Sequence, residues 1–167
     1  MTAAANTSPS LPCVTVGPDD FDVSAEVARL REGDHRVGAV VAFVGTVREW
    51  RPDAPSADGA VMELEHYPGM TELSIARMID AAKERFDIFN ARVIHRVGPL
   101  AIADQIVLVA VSSAHRGQAF QCCEFLMDWL KTDAPFWKKE VANGQGQWVD
   151  ARETDQQAMA RWQDTSA

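Results

Sequence analysis

The sequence predicts an α+β fold in which helices pack on a mixed, largely antiparallel sheet. Three observations lead there. Strand-like and helix-like runs are interspersed without the strict β-α alternation of a doubly wound fold. Several neighbouring strand-like runs are joined by segments too short for a right-handed parallel crossover. Gly-x-Gly-x-x-Gly and the P-loop pattern are both absent, which removes the usual dinucleotide and nucleoside triphosphate cradles.

In chain order, residues 1–12 are small and polar with two prolines and read as a mobile tail ahead of one domain spanning 13–167. Cys13–Val16 suits a short strand. Asp22 or Ser24 can cap a brief helix that puts Val23, Val27 and Leu30 on one face. Val37–Val47 is a nearly continuous, β-branched apolar run, as expected of a strand buried on both faces. Glu49–Gly59, with two prolines, two aspartates and a glycine, reads as a loop. Met62–Tyr67 alternates as a strand with one wetter face, and Pro68-Gly69 turns the chain. Thr71 can then cap a helix to about Phe86, because Ile75, Ile79, Ala82 and Phe86 recur at helical spacing.

Arg92–Val97 alternates again, Gly98-Pro99 breaks the chain, and Gln105–Ser113 reads as a central strand. A second strong helix runs from about Gly117 to Lys131, with Ala119, Cys122, Leu126 and Leu130 on one stripe, and Pro135 stops it. Phe136–Val141 and Gln147–Ala151 form a hairpin around Asn-Gly-Gln-Gly, and Thr154–Trp162 is a short last helix.

Composition narrows the function. Sixteen Lys and Arg against 24 Asp and Glu give a formal charge of −8, which opposes non-specific nucleic-acid binding. A local cationic pocket for an anionic small molecule remains compatible with that balance. The longest apolar runs fall far short of the roughly 20 residues that span a bilayer. MTAAANTSPSL lacks the basic and apolar segments of a secretory signal, so a cytoplasmic location is expected. Three cysteines, two of them adjacent, do not make a disulfide framework. The four histidines show no ligand spacing, so neither a metal nor another cofactor is expected.

The chemistry concentrates in Ser113–Phe120 and Trp129–Glu140. Ser112–Arg116 lies where a buried strand hands over to a helix, so free backbone N–H groups, His115 and Arg116 can bind an anion there. Ser113 as a simple cap with two solvated neighbours explains the same residues equally well. Lys131 suits the helix's C-terminal dipole, and Lys138 beside Phe136 and Trp137 suits ordinary strand packing. Alternatively, Lys131 and Lys138 are of interest because a lysine near another cation can lose its proton near neutral pH. Cys122 and Cys123 sit among apolar residues and read as buried inert thiols.

Several motifs follow in one order: Phe43–Arg48, Leu64–Met70, Ile94–Gly98, Ser113–Arg116, Met127–Thr132, Ala134–Glu140 and Trp148–Arg152. Together they resemble the catalytic, large subunit of molybdopterin synthase over roughly Val37 to Trp162, and Lys-Thr-x-Ala-Pro-Phe-Trp-Lys is the most specific. The resemblance implies a hammerhead-like α+β fold and a sulfurtransferase that converts cyclic pyranopterin monophosphate to molybdopterin. Sulfur would arrive as a thiocarboxylate on the C-terminal Gly-Gly of a small ubiquitin-like subunit. The implied assembly is a homodimer of large subunits within a heterotetramer. It also implies that Lys131 and Lys138 line the junction of donor tail and pterin. Arg48, His115 and Arg116 would hold the substrate, and Arg152 would reach in from the other large subunit. Phe43 and Met127 would form apolar walls, with Glu140 near the lysines. Two other classes compete: a non-catalytic docking module for the ubiquitin-like protein, and a phosphate-ester hydrolase using His115. Docking alone does not call for all of Lys131, Lys138, His115 and Arg116, and no second acid or phosphate loop supports the hydrolase.

Overall fold

The computed structural model describes residues 12–49, 60–150 and 153–163. The expected tail up to residue 11, nearly all of the expected loop and Arg152 lie outside these residues. Eight strands and four helices follow: β1 Val14–Gly17, α1 Val23–Arg29, β2 Ala39–Thr46, β3 Val61–His66, α2 Met70–Arg85 and β4 Asn90–Arg96. Then come β5 Gly98–Ala101, β6 Gln105–Ser113, α3 Arg116–Thr132, β7 Phe136–Ala142, β8 Gln145–Val149 and α4 Glu153–Ala160. The strands divide into two four-stranded sheets, ordered β1-β4-β6-β2 and β5-β3-β7-β8. Only the β1–β4 pair is parallel among the described ladders, so the arrangement is mixed and largely antiparallel as expected.

Strand β6 is the axis of the first sheet. Val107, Val109 and Val111 face α2 and α3, where Ile75, Ile79, Ala82, Ala119, Cys122 and Leu126 complete the main core. Leu108 and Ala110 face the opposite way, with Leu30 and Ile94 beneath α1. Alternate residues thus enter different layers, which is why β6 reads as an unbroken apolar run. A third cluster, Val47, Met62, Leu64, Val97 and Leu100, joins the second sheet to the first.

Beneath α1 lies a buried ion pair. Arg92 Nε donates to Glu26 Oε2 at 2.9 Å, with both side chains less than one-tenth exposed. Glu26 Oε1 also accepts from Arg29, and Arg92 Nη1 donates to the Pro12 carbonyl. Position 12 is therefore anchored, although the sequence groups it with the tail. Asp22 caps α1 through the Ala25 N–H.

Four expectations change. Strand β2 is not buried on both faces: it is an edge strand, with Ala42 and Phe43 exposed. A run of β-branched residues marks a strand without saying whether it is central or lateral. Gly98-Pro99 begins β5 instead of a plain break, and Pro99 is tolerated because β5 is itself an edge. Helix α2 starts at Met70 after Gly69, whose φ of 82° is one a side chain would strain, and Glu72 accepts the Gly69 N–H. Thr71 is fully buried inside the helix instead of capping it. The β7–β8 turn is tighter than expected, with only Asn143 and Gly144 at its tip, both at positive φ, so Gln145 and Gly146 already belong to β8. No helix among the described residues is long and apolar enough to cross a membrane.

The ion pair generates a stability prediction. Arg92→Ala leaves the buried Glu26 carboxylate only its more exposed Arg29 partner and should cost about 3 kcal/mol in urea unfolding, whereas Glu26→Leu with Arg92→Met should lie much closer to wild type.

Candidate active site

Helix α3 organises the candidate residues. It leaves β6 at Ser113, whose hydroxyl donates to the Asp87 carbonyl and accepts the His115 N–H at 3.3 Å. His115 is the N-cap residue and supplies no side-chain cap, so Ser113 steadies the approach to the helix without closing its first turn. His115 and Arg116 are exposed and line a pocket of about 470 Å³ with Gly38, Ala39, Ala114 and Gly117. Gly38 makes the close approach possible, since a Cβ there would collide with the Ala114 carbonyl oxygen. Helix N–H groups, an imidazole and a guanidinium converge on this pocket, a combination suited to an anion.

Arg116 opens α3 and Lys131 lies in its last turn, so about 22 Å of helix separates them. The other candidates gather at the Lys131 end. Strand β2 pairs antiparallel with β6, with Ala39 opposite Ser113 and Thr46 opposite Gln105. Its start therefore lies beside His115 and its end, leading to exposed Arg48, lies toward the far end of the layer. Val47, next to Arg48, packs with Leu64, and Leu64 is the ladder partner of Lys138. On β7, Phe136, Lys138 and Glu140 share one face by strand alternation. Lys138 Nζ lies 3.2 Å from Glu140 Oε1, both partly buried. Among the described residues Lys131 makes no ion pair.

The structure thus sorts the predicted residues into two groups. Arg48, Lys131, Lys138 and Glu140 belong to one end of α3, and His115 and Arg116 to the other. Between them Arg116, Phe120, Met127 and Lys131 recur at four, seven and four residues and share one flank of the helix. Phe120 was missed from sequence, although its spacing from Arg116 was visible. It is 60% exposed, and Phe43 on the β2 edge is 39% exposed. An apolar strip therefore runs from one cationic group to the other.

The thiols have no part in this arrangement. Burial pushes the pKa of the Cys122 thiol up to about 12 and that of Cys123 up to about 11. Cys123 also directs its Sγ to the Val109 carbonyl. Among the described residues no cluster of His, Cys, Asp or Glu is placed to hold a metal ion.

Cationic groups at both ends of one helix, with apolar side chains between them, are of the class of features that suit anionic small molecules. Comparison with known proteins narrows the class. The MoaE protein family model matches residues 16–133. A molybdopterin synthase catalytic subunit from Ralstonia nicotianae is 55% identical over 152 residues, covering 91% of this chain and 85% of the relative. The structure of molybdopterin cofactor biosynthesis protein E from Burkholderia multivorans superposes with a TM-score of 0.77 at 50% identity, covering 93% of this chain and 99% of that one. Molybdopterin synthase from Staphylococcus aureus gives a TM-score of 0.70 at 31% identity, covering 80% and 94%. The chain belongs to the MoaE family, the molybdopterin synthase catalytic subunits of molybdenum cofactor biosynthesis.

Iodoacetamide applied to the native protein at pH 8 should label partly exposed Cys13 and spare Cys122 and Cys123. Peptide mass analysis before and after denaturation reads this out; native labelling of the helix pair would show that their burial is not protective.

Proposed function

We propose that two copies of this chain build composite sites in which sulfur passes from a thiocarboxylated small subunit to cyclic pyranopterin monophosphate. The observation that carries the reading is the division of the cations along α3. A small pterin phosphate cannot touch Arg116 and Lys131 of one chain across about 22 Å of helix. A two-fold pairing that sets the α3 flanks and β2 edges antiparallel brings the Lys131 end of one copy to the His115 and Arg116 end of the other. Phe43, Phe120 and Met127 then form the apolar middle of an isologous contact. Arg152, carried over from the family resemblance, joins the same composite site from across the dimer. One small ubiquitin-like subunit at each end completes a heterotetramer in the cytoplasm, with residues 13–167 of each large subunit forming one catalytic domain.

Each group then has a chemical role. His115, Arg116 and Arg48 bind the cyclic phosphate and pterin, guanidinium forks being matched to phosphate oxygen pairs. The donor tail meets the pterin beside Lys131 and Lys138. Its thiocarboxylate sulfur forms a bond to a side-chain carbon of the pterin as a carbon–oxygen bond at that carbon breaks and the departing oxygen takes up a proton. Water then cleaves the resulting thioester, leaving the sulfur on the pterin and a carboxylate on the donor. A second donor supplies the second sulfur of the dithiolene. Lys131 and Lys138 supply positive charge and proton transfer as anionic character develops. Glu140 holds Lys138 in place through its ion pair. The donor brings the sulfur, so Cys13, Cys122 and Cys123 are not required.

The direct test combines thiocarboxylated small subunit, cyclic pyranopterin monophosphate and this chain, with dithiolene product as readout. Lys131→Ala should lower turnover by about two orders of magnitude or more, a typical acid–base contribution, while small-subunit affinity stays near wild type. Near-normal turnover would return Lys131 to a helix-end cation. For the composite site, Arg116→Ala and Lys131→Ala chains, each nearly inactive alone, are mixed and allowed to exchange. One site of the mixed dimer then carries both lesions and the other carries none, so about half of wild-type activity per mixed dimer should return. Verified mixed dimers as inactive as their parents would place the two residues in one chain's site.

A further inference from the structure

The proposed chemistry leaves two sequence motifs unused. One is Leu64–Met70, with Thr71 just beyond it, and the other is Ile94–Gly98. Both converge on Pro135 and Phe136, where the chain turns from α3 into β7. That turn is the covalent link between Lys131 and Lys138, so its geometry sets where one lysine stands relative to the other.

Two contacts from different elements hold it. Thr71, fully buried in the first turn of α2, donates its hydroxyl to the Pro135 carbonyl at 3.1 Å and accepts the Tyr67 N–H at 3.0 Å. His95, on β4 of the other sheet, stacks on the Phe136 ring with centroids 3.8 Å apart and planes 19° from parallel. Its Nδ1 lies 2.8 Å from the Arg96 carbonyl, which fixes the ring's orientation. Burial, with His66 nearby, holds the His95 pKa down to about 4, so the ring is neutral near neutral pH and the stack keeps one charge state. His66 completes the surround as the ladder partner of Phe136.

We infer that Thr71 and His95 are positioning residues that clamp Pro135-Phe136 and so fix Lys138, two residues further on the same strand face, relative to Lys131. A buried hydroxyl needs a partner in any role, so the positioning reading rests on two contacts from different elements meeting on the consecutive residues Pro135 and Phe136. The inference rests on the proposed roles of the two lysines, and the experiment separates its failure from theirs.

Four variants are compared in the reconstituted complex, at a temperature well below each one's unfolding transition. Thr71→Val keeps the shape and loses both hydroxyl bonds, to Pro135 and from Tyr67, whereas Thr71→Ser keeps them. His95→Ala loses the stack, whereas His95→Phe keeps an aromatic ring. Thr71→Val and His95→Ala should lower kcat about tenfold, as loss of near-attack geometry does, with KM for the pterin and small-subunit affinity within about twofold of wild type. Thr71→Ser and His95→Phe should stay within about twofold in kcat. Amide hydrogen exchange over residues 136–139 should quicken in the first pair alone. Unchanged exchange in Thr71→Val and His95→Ala would overturn the clamp. So would full kcat in both while Lys138→Ala, run alongside, is inactive. If Lys138→Ala itself keeps full turnover, the lysine reading fails, and the exchange comparison still decides whether the clamp exists. Should His95→Ala not fold, the isosteric Thr71→Val decides the question.

Discussion

Helix α3 acts as a spacer of fixed length, and the arrangement of the candidate site follows from it. Its seventeen residues lie across β6 and beside β2, held by Ala119, Cys122, Leu126 and Leu130 against the central sheet. A packed helix cannot shorten to bring its ends together. Cations placed at its two ends must therefore serve separate ligands, or meet through a second molecule. The exposed Phe43 and Phe120 leave apolar surface on the flank between those ends, which suits the second arrangement proposed above.

The two sheets differ in character. The middle of the first sheet, β4 and β6, is buried on both sides, with α2 and α3 above and α1 below, and even its charged Arg92 is enclosed with Glu26. The second is anchored through Val47, Met62, Leu64, Val97 and Leu100 and leaves Trp137 and Trp148 about half exposed. It carries the Lys138–Glu140 ion pair, so the charged candidate residues of β7 sit on the more solvated sheet while the enclosed sheet supplies the framework. Partial solvation lowers the desolvation penalty of keeping a lysine charged.

Much of this was legible in the sequence, for identifiable reasons. Repeated spacing at Ile75, Ile79 and Ala82 and at Ala119, Cys122 and Leu126 located both long helices, because each buries one stripe against the same sheet. The separation of Arg116 from Lys131 was also present, since a helix predicted between them has a known rise. What could not be read was tertiary partnership. Thr71 looks like a cap because threonine often is one, yet its hydroxyl partner lies 64 residues away. By strand alternation His95 shares a face with Val93 and Val97, but nothing in its own segment says that the Phe136 ring will cover it. The edge position of β2 depends on which strand lies beyond it, information that its own residues do not hold.

That edge has a consequence for the chain's life before assembly. Val40–Gly45 presents six consecutive residues without charge or proline along an open strand, the composition that pairs readily with other strands. If two copies pair as proposed, newly made protein faces a race between that pairing and indiscriminate strand pairing. Both routes speed up with concentration, but only a closed two-fold assembly stops growing. Solubility and oligomeric closure would then be one property, and any change that slows association should appear first as loss of protein and only later as loss of catalysis.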